Sequence, residues 1–104
     1  MKAYTDIEQS KVLAEILPLE SADMYWYLAT KGNPKAMFNE EYNEYGDFEL
    51  PCWSLSALLD VLPNGNMLVK TTDGEYYCLA KDVMTKHYDN PVDVCADMII
   101  RLKK

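Results

Sequence analysis

The sequence predicts an α+β fold with an antiparallel sheet, on three observations. Segments with helical spacing of apolar residues are interspersed with short aromatic or apolar runs of strand character. Asp73-Gly74 stands between two such runs and is a favoured hairpin turn. No strand–helix–strand pattern of the kind that builds a doubly wound parallel sheet is present. The expected architecture is a single domain over residues 1–104, with a sheet of three or four strands and three helices mainly on one sheet face.

The first helix is expected over residues 6–17. Thr5 and Glu8 read as a Thr-x-x-Glu capping box. Ile7, Ser10, Leu13, Ala14 and Leu17 fall on one helical face, and Pro18 stops the helix. The run Met24-Tyr25-Trp26-Tyr27-Leu28 then alternates as a strand, with Met24, Trp26 and Leu28 on one face and Tyr25 and Tyr27 on the other. Lys31-Gly32-Asn33-Pro34 is turn chemistry, and a return strand is expected near Ala36-Met37-Phe38.

Residues 39–50 crowd five carboxylates, Glu40, Glu41, Glu44, Asp47 and Glu49, with no basic residue among them. They read as a solvated loop anchored by aromatics or as a contact loop, although Phe38, Tyr42 and Tyr45 also stand at helical spacing.

Ser54 is an N-cap for a second helix carrying Leu55, Leu58, Leu59 and Leu62. Trp53 is positioned to staple onto Leu58, and Pro63 ends the helix. Leu58 and Leu59 are both expected in the core. In the hairpin, a two-residue Asp73-Gly74 turn pairs Thr71 with Tyr76, Val69 with Cys78 and Met67 with Ala80 on one mostly apolar face. Lys70 then opposes Tyr77, and Leu68 opposes Leu79. The last helix is expected over residues 91–102, capped by Asn90 with Pro91 at its first position, and buried along Val92, Cys95, Ala96, Ile99 and Leu102.

Composition bounds the function. Ten basic residues oppose seventeen acidic ones, a net charge of −7. Such a surface repels nucleic-acid backbones and anionic membranes, so no direct nucleic-acid or membrane binding is expected. No signal-peptide run or long apolar stretch occurs, so a cytoplasmic location is expected. Cys52, Cys78 and Cys95 are odd in number and suit neither a disulfide framework nor a zinc site. They read as buried, reduced thiols.

Four segments carry a resemblance. They are Ile7-Glu8-Gln9-Ser10-Lys11, Leu17-Pro18-Leu19-Glu20-Ser21-Ala22-Asp23-Met24, Leu50-Pro51-Cys52-Trp53-Ser54-Leu55-Ser56-Ala57-Leu58-Leu59 and Tyr88-Asp89-Asn90-Pro91-Val92-Asp93. They resemble a group of short uncharacterised proteins of gut Bacteroidetes, their prophages and mobile elements. The resemblance implies a phage or mobile-element accessory protein and assigns no catalytic or binding residue.

No catalytic residue, metal ligand or cofactor site is expected. The single histidine, His87, has no exposed nucleophile beside it in the pattern, because Cys78 and Cys95 lie on apolar faces. His87, Asp89 and Asp93 cluster near a helix start, where Asp89 or Asn90 as cap and Asp93 at the dipole account for the carboxylates. No glycine-rich phosphate cradle is present.

The leading functional expectation is a protein-interaction or regulatory module that engages a protein partner or forms a homodimer. Its surface would draw on Tyr25, Tyr27, Tyr42, Tyr45 and Tyr77, since tyrosine outnumbers phenylalanine by eight to two. An acidic nucleic-acid mimic that blocks a basic site on a host protein is the alternative, and a small enzyme or enzyme subunit is a third class.

Overall fold

The computed structural model describes residues 1–28, 33–38 and 49–103. Tyr42, Tyr45 and most of the acidic stretch 39–50 lie outside the described residues. In chain order the elements are α1 (Ile7–Ile16), β1 (Met24–Tyr27), β2 (Lys35–Phe38), β3 (Glu49–Cys52), α2 (Leu55–Val61), β4 (Met67–Lys70), β5 (Tyr76–Ala80), β6 (Val83–Met84) and α3 (Pro91–Lys103). The α+β class and the antiparallel pairing stand. The strands, however, divide between two three-stranded sheets, ordered β2-β1-β3 and β4-β5-β6.

Two strands were hidden from the pattern. β3 contains Pro51, which cannot donate to a ladder. It is tolerated because β3 is the edge of its sheet. β6 is only two residues long.

α1 begins one residue later than the Thr5–Glu8 box would place it. Asp6 is the N-cap: its carboxylate accepts from the Gln9 backbone N–H at 2.7 Å, and the Gln9 side chain accepts from the Asp6 N–H at 3.1 Å. Thr5 is buried instead. Its hydroxyl accepts from the Trp53 N–H at 3.1 Å and is 2.8 Å from the Ser10 hydroxyl, so neither buried side chain lacks a partner. The backbone of residues 3–5 runs beside residues 53–55, with the Thr5 N–H donating to the Trp53 carbonyl at 2.9 Å.

Ser54 caps α2 as its sequence position predicts, accepting from the Ala57 N–H at 3.2 Å. Trp53 is fully buried and satisfies its indole N–H on the Ser21 hydroxyl at 2.9 Å. Leu58 is fully buried in the same core, but Leu59 is 39% exposed. The helix is only seven residues long, and its buried residues are Ala57 and Leu58, so Leu59 falls beyond the stripe.

α3 closes the core. Asn90 accepts from the Asp93 N–H at 2.8 Å, the expected cap. Val92, Val94, Cys95, Ala96, Met98 and Ile99 are all buried, a wider surface than one stripe, because α3 packs on α1, α2, β5 and β6 together.

The β4–β5 hairpin departs from the expected register by one residue. Leu68 pairs with Cys78, Val69 with Tyr77 and Lys70 with Tyr76. The connection is three residues long: the Thr71 N–H donates to the Glu75 carbonyl at 2.8 Å, and the Gly74 N–H to the Thr71 carbonyl at 3.1 Å. Gly74 adopts φ +82°, the left-handed conformation that such a loop requires of its last residue. A two-residue connection does occur, but between β5 and β6. There Lys81 and Asp82 both take positive φ, 49° and 65°, in the manner of a type I′ turn without glycine. The one-residue shift moves Met67 and Val69 to the outward face with Tyr77 and Leu79, and brings Leu68 inward with Cys78.

Candidate interaction surface

The inward side chains of β5, Cys78 and Ala80, are buried beneath α3. Alternation therefore turns Tyr77 and Leu79 outward. Cross-strand pairing then builds two rows on that outer face. Met67 of β4 pairs with Leu79, and Leu79 with Met84 of β6. Beside this row Val69 pairs with Tyr77, and His87 lies flat on the Tyr77 ring, with centroids 4.9 Å apart and planes 10° from parallel. Met67 is 57% exposed and Met84 58% exposed, while Val69, Tyr77 and Leu79 are half-buried between them.

None of the six side chains is a carboxylate, a lysine or an arginine. His87 stands with Nδ1 3.8 Å from a Glu75 carboxylate oxygen at the rim of the face. Both groups are about half exposed, so this pair holds the ring loosely. Among the described residues no helix covers this side of β5, whose buried residues all point the other way. The two methionines, unbranched and polarizable, make the ends of the first row adaptable in shape.

The tyrosines expected at an interface are divided. Tyr25 and Tyr27 share the outward side of β1: Tyr25 lies between Met37 and Pro51 and is 3.8 Å from the Met37 sulfur, and Tyr27 lies between Lys35 and Glu49. Tyr77 belongs to the other sheet. The structure thus brings Tyr25 and Tyr27 together and keeps Tyr77 apart from them. Met67, Val69, Leu79 and Met84 were missed as surface residues. The available signal is the lack of charge at these positions, and the two-residue-turn register hides it by pairing Met67 and Val69 with Ala80 and Cys78.

The His87, Asp89 and Asp93 group does not converge. His87 faces Tyr77 and Glu75, whereas Asp93 accepts from Lys2 at 2.7 Å, from Gln9 at 2.7 Å and from Asn90 at 2.8 Å. Burial raises the pKa of Asp93, but these three donors outweigh it and hold its carboxyl below the usual range. At Lys2 burial opposes the charge, and the hydrogen bonds to Asp93 and Asp6 more than compensate, raising its pKa. Among the described residues no three His, Cys, Asp or Glu side chains are grouped to hold a metal.

The three thiols are free and buried. Burial pushes all three upward, Cys95 to about 12 with a further contribution from Cys78. A thiol in that state is a poor nucleophile. Among the described residues no helix is long and apolar enough to cross a membrane. No protein-family model, curated protein or solved structure matches this chain.

Proposed function

We propose that this protein is a small protein-interaction module whose contact surface is the outward face of the β4–β5–β6 sheet. One observation carries the reading: the rows Met67–Leu79–Met84 and Val69–Tyr77–His87 form a continuous, largely apolar face with more than half of each methionine in water. Contiguous apolar surface of this kind is unfavourable to leave hydrated and marks sites of association. Tyr77 adds an amphipathic ring of the sort enriched at interfaces. The net charge of −7 weighs against a nucleic-acid or anionic-lipid ligand. The resemblance to proteins of prophages and mobile elements favours an accessory role.

The test is a photocrosslinking amino acid placed at Met84 and, in a separate variant, at Glu8 on α1, each expressed in the native host. A discrete adduct from the Met84 position alone is the expected result. Absence of an adduct at Met84, or the same adduct from both positions, would remove the outer face as the contact surface.

A further inference from the structure

We infer that Asn64 is a site of spontaneous covalent modification, at which the backbone nitrogen of Gly65 converts the asparagine to a mixture of aspartate and isoaspartate. Both residues lie in an exposed turn between α2 and β4. The Asn66 N–H donates to the Pro63 carbonyl at 3.3 Å, and Gly65 takes φ +86° at the third position, as in a type II turn. Neither the Asn64 side chain nor the Gly65 N–H makes a hydrogen bond among the described residues. No atom lies within 4 Å of the point where a Cβ of Gly65 would stand. The side-chain amide and the nitrogen that must reach it are thus both in water, and glycine resists the necessary backbone rotation least.

The chemistry balances without an oxidant or a reductant. The Gly65 nitrogen, deprotonated by hydroxide, attacks Asn64 Cγ. The new N–Cγ bond closes a succinimide ring, and the Cγ–Nδ2 bond breaks to release ammonia. Water then opens the ring. Breaking the N–Cγ bond leaves aspartate; breaking the bond from the nitrogen to the backbone carbonyl carbon leaves isoaspartate. Asparagine is among the thermally labile residues for such reasons. Other positions fall short. Asn33 and Asn90 precede prolines, which have no N–H to deprotonate. Asn66 precedes Met67, and its amide is held on the Pro63 carbonyl at 3.0 Å. Asn39 and Asn43 precede glutamates, and a side chain on the attacking residue slows ring closure. Asp73-Gly74 is a related pair, but there the Gly74 N–H is committed to the Thr71 carbonyl at 3.1 Å. Either product at Asn64 adds a negative charge to a chain of net −7, and isoaspartate lengthens the main chain between the buried Leu62 and β4.

Incubating the full chain under native conditions at neutral and at mildly alkaline pH tests this, with peptide mass spectrometry that distinguishes isoaspartate from aspartate. Asn64 should convert first, and faster at the higher pH. Gly65→Ala should slow the conversion by about tenfold or more, because a Cβ hinders the rotation that glycine permits. Asn64→Gln changes an exposed side chain and leaves Gly65 in place, and it should reduce the isoaspartate content to background. Thermal melts by circular dichroism establish that both variants are folded. Three results would each overturn the inference: conversion at another asparagine as fast as at Asn64, an isoaspartate content that Asn64→Gln leaves unchanged, or an intact Asn64 in the native protein after the chain unfolded in urea has converted.

Discussion

Lys2 Nζ lies 2.7 Å from the Asp93 carboxylate, joining residues 91 positions apart, and the same lysine reaches Asp6 at 2.9 Å and Gln9 at 2.8 Å. The start of the chain is thereby tied to the capped end of α3. Because the Asp93 carboxyl is held below its ordinary range, its contribution to stability is present above the unfolded-state pKa and disappears as pH falls through the folded-state value. Asp93→Asn should cost about 1–3 kcal/mol at neutral pH, the scale of hydrogen bonds to a charged group. Urea titrations of both proteins should show the gap narrowing as the solution is acidified. A gap that stays constant into strongly acid solution would mean that the charge of Asp93 is not what stabilises this junction.

Leu58 and Leu59 are adjacent, yet one is fully buried and the other 39% exposed. Leu58→Ala should cost about 2–5 kcal/mol, because it removes core contacts and leaves a cavity. Leu59→Ala should stay within roughly 0.5 kcal/mol, as surface substitutions usually do. Equal midpoint shifts in denaturant for the two variants would contradict the placement of α2.

The two turns of the second sheet respond oppositely to glycine. Gly74 sits at φ +82° with no atom within 4 Å of an added Cβ, so Gly74→Ala meets no clash and suffers only from its backbone conformation. That penalty is about 1–2 kcal/mol. Lys81 and Asp82 already bear such a penalty at φ 49° and 65°. Replacing the pair with Asn-Gly should raise the melting temperature, by an amount corresponding to about 1 kcal/mol. A lower melting temperature would place the strain elsewhere.

A thiol reagent at neutral pH should leave the native protein largely unmodified and titrate three groups after denaturation. Fast labelling of any cysteine in the native protein, monitored by mass, would show that its burial is incomplete.

Much of the fold was legible because local chemistry and tertiary packing agree at several places. Ser54 and Asn90 cap the helices that their positions predict, and Val92, Cys95, Ala96 and Ile99 of the α3 stripe are buried as spaced, with Leu102 half-buried at its end. The sequence reading went wrong where two local solutions lie close in energy. Asp73-Gly74 suits a two-residue turn, but a three-residue loop also accepts glycine at its last position. The Thr71 side chain favours the longer loop by accepting from the Glu75 N–H at 3.1 Å. Thr5 and Asp6 are likewise both competent caps, and the buried pairing of Thr5 with Ser10 and Trp53 decides for Asp6. The candidate surface depended on the hairpin register, so it could not be assembled from pattern alone. Of the expected interface tyrosines among the described residues, this face contains Tyr77.

The position of Thr5 has a consequence for the order in which the molecule assembles. Its hydroxyl meets the backbone of a residue 48 positions away, whereas β5 and β6 are joined by two residues. Short hairpins close on the microsecond scale, while a long loop must pay its closure entropy before any contact forms. The N-terminal segment is therefore expected to dock after the short hairpins have closed. Cys52 is held against Thr5, its thiol 3.4 Å from the Thr5 carbonyl oxygen. Slow modification of Cys52 should therefore report how often the beginning of the chain comes undone, and a Cys52 labelling rate no faster than that of Cys78 and Cys95 beneath α3 would contradict this order of opening.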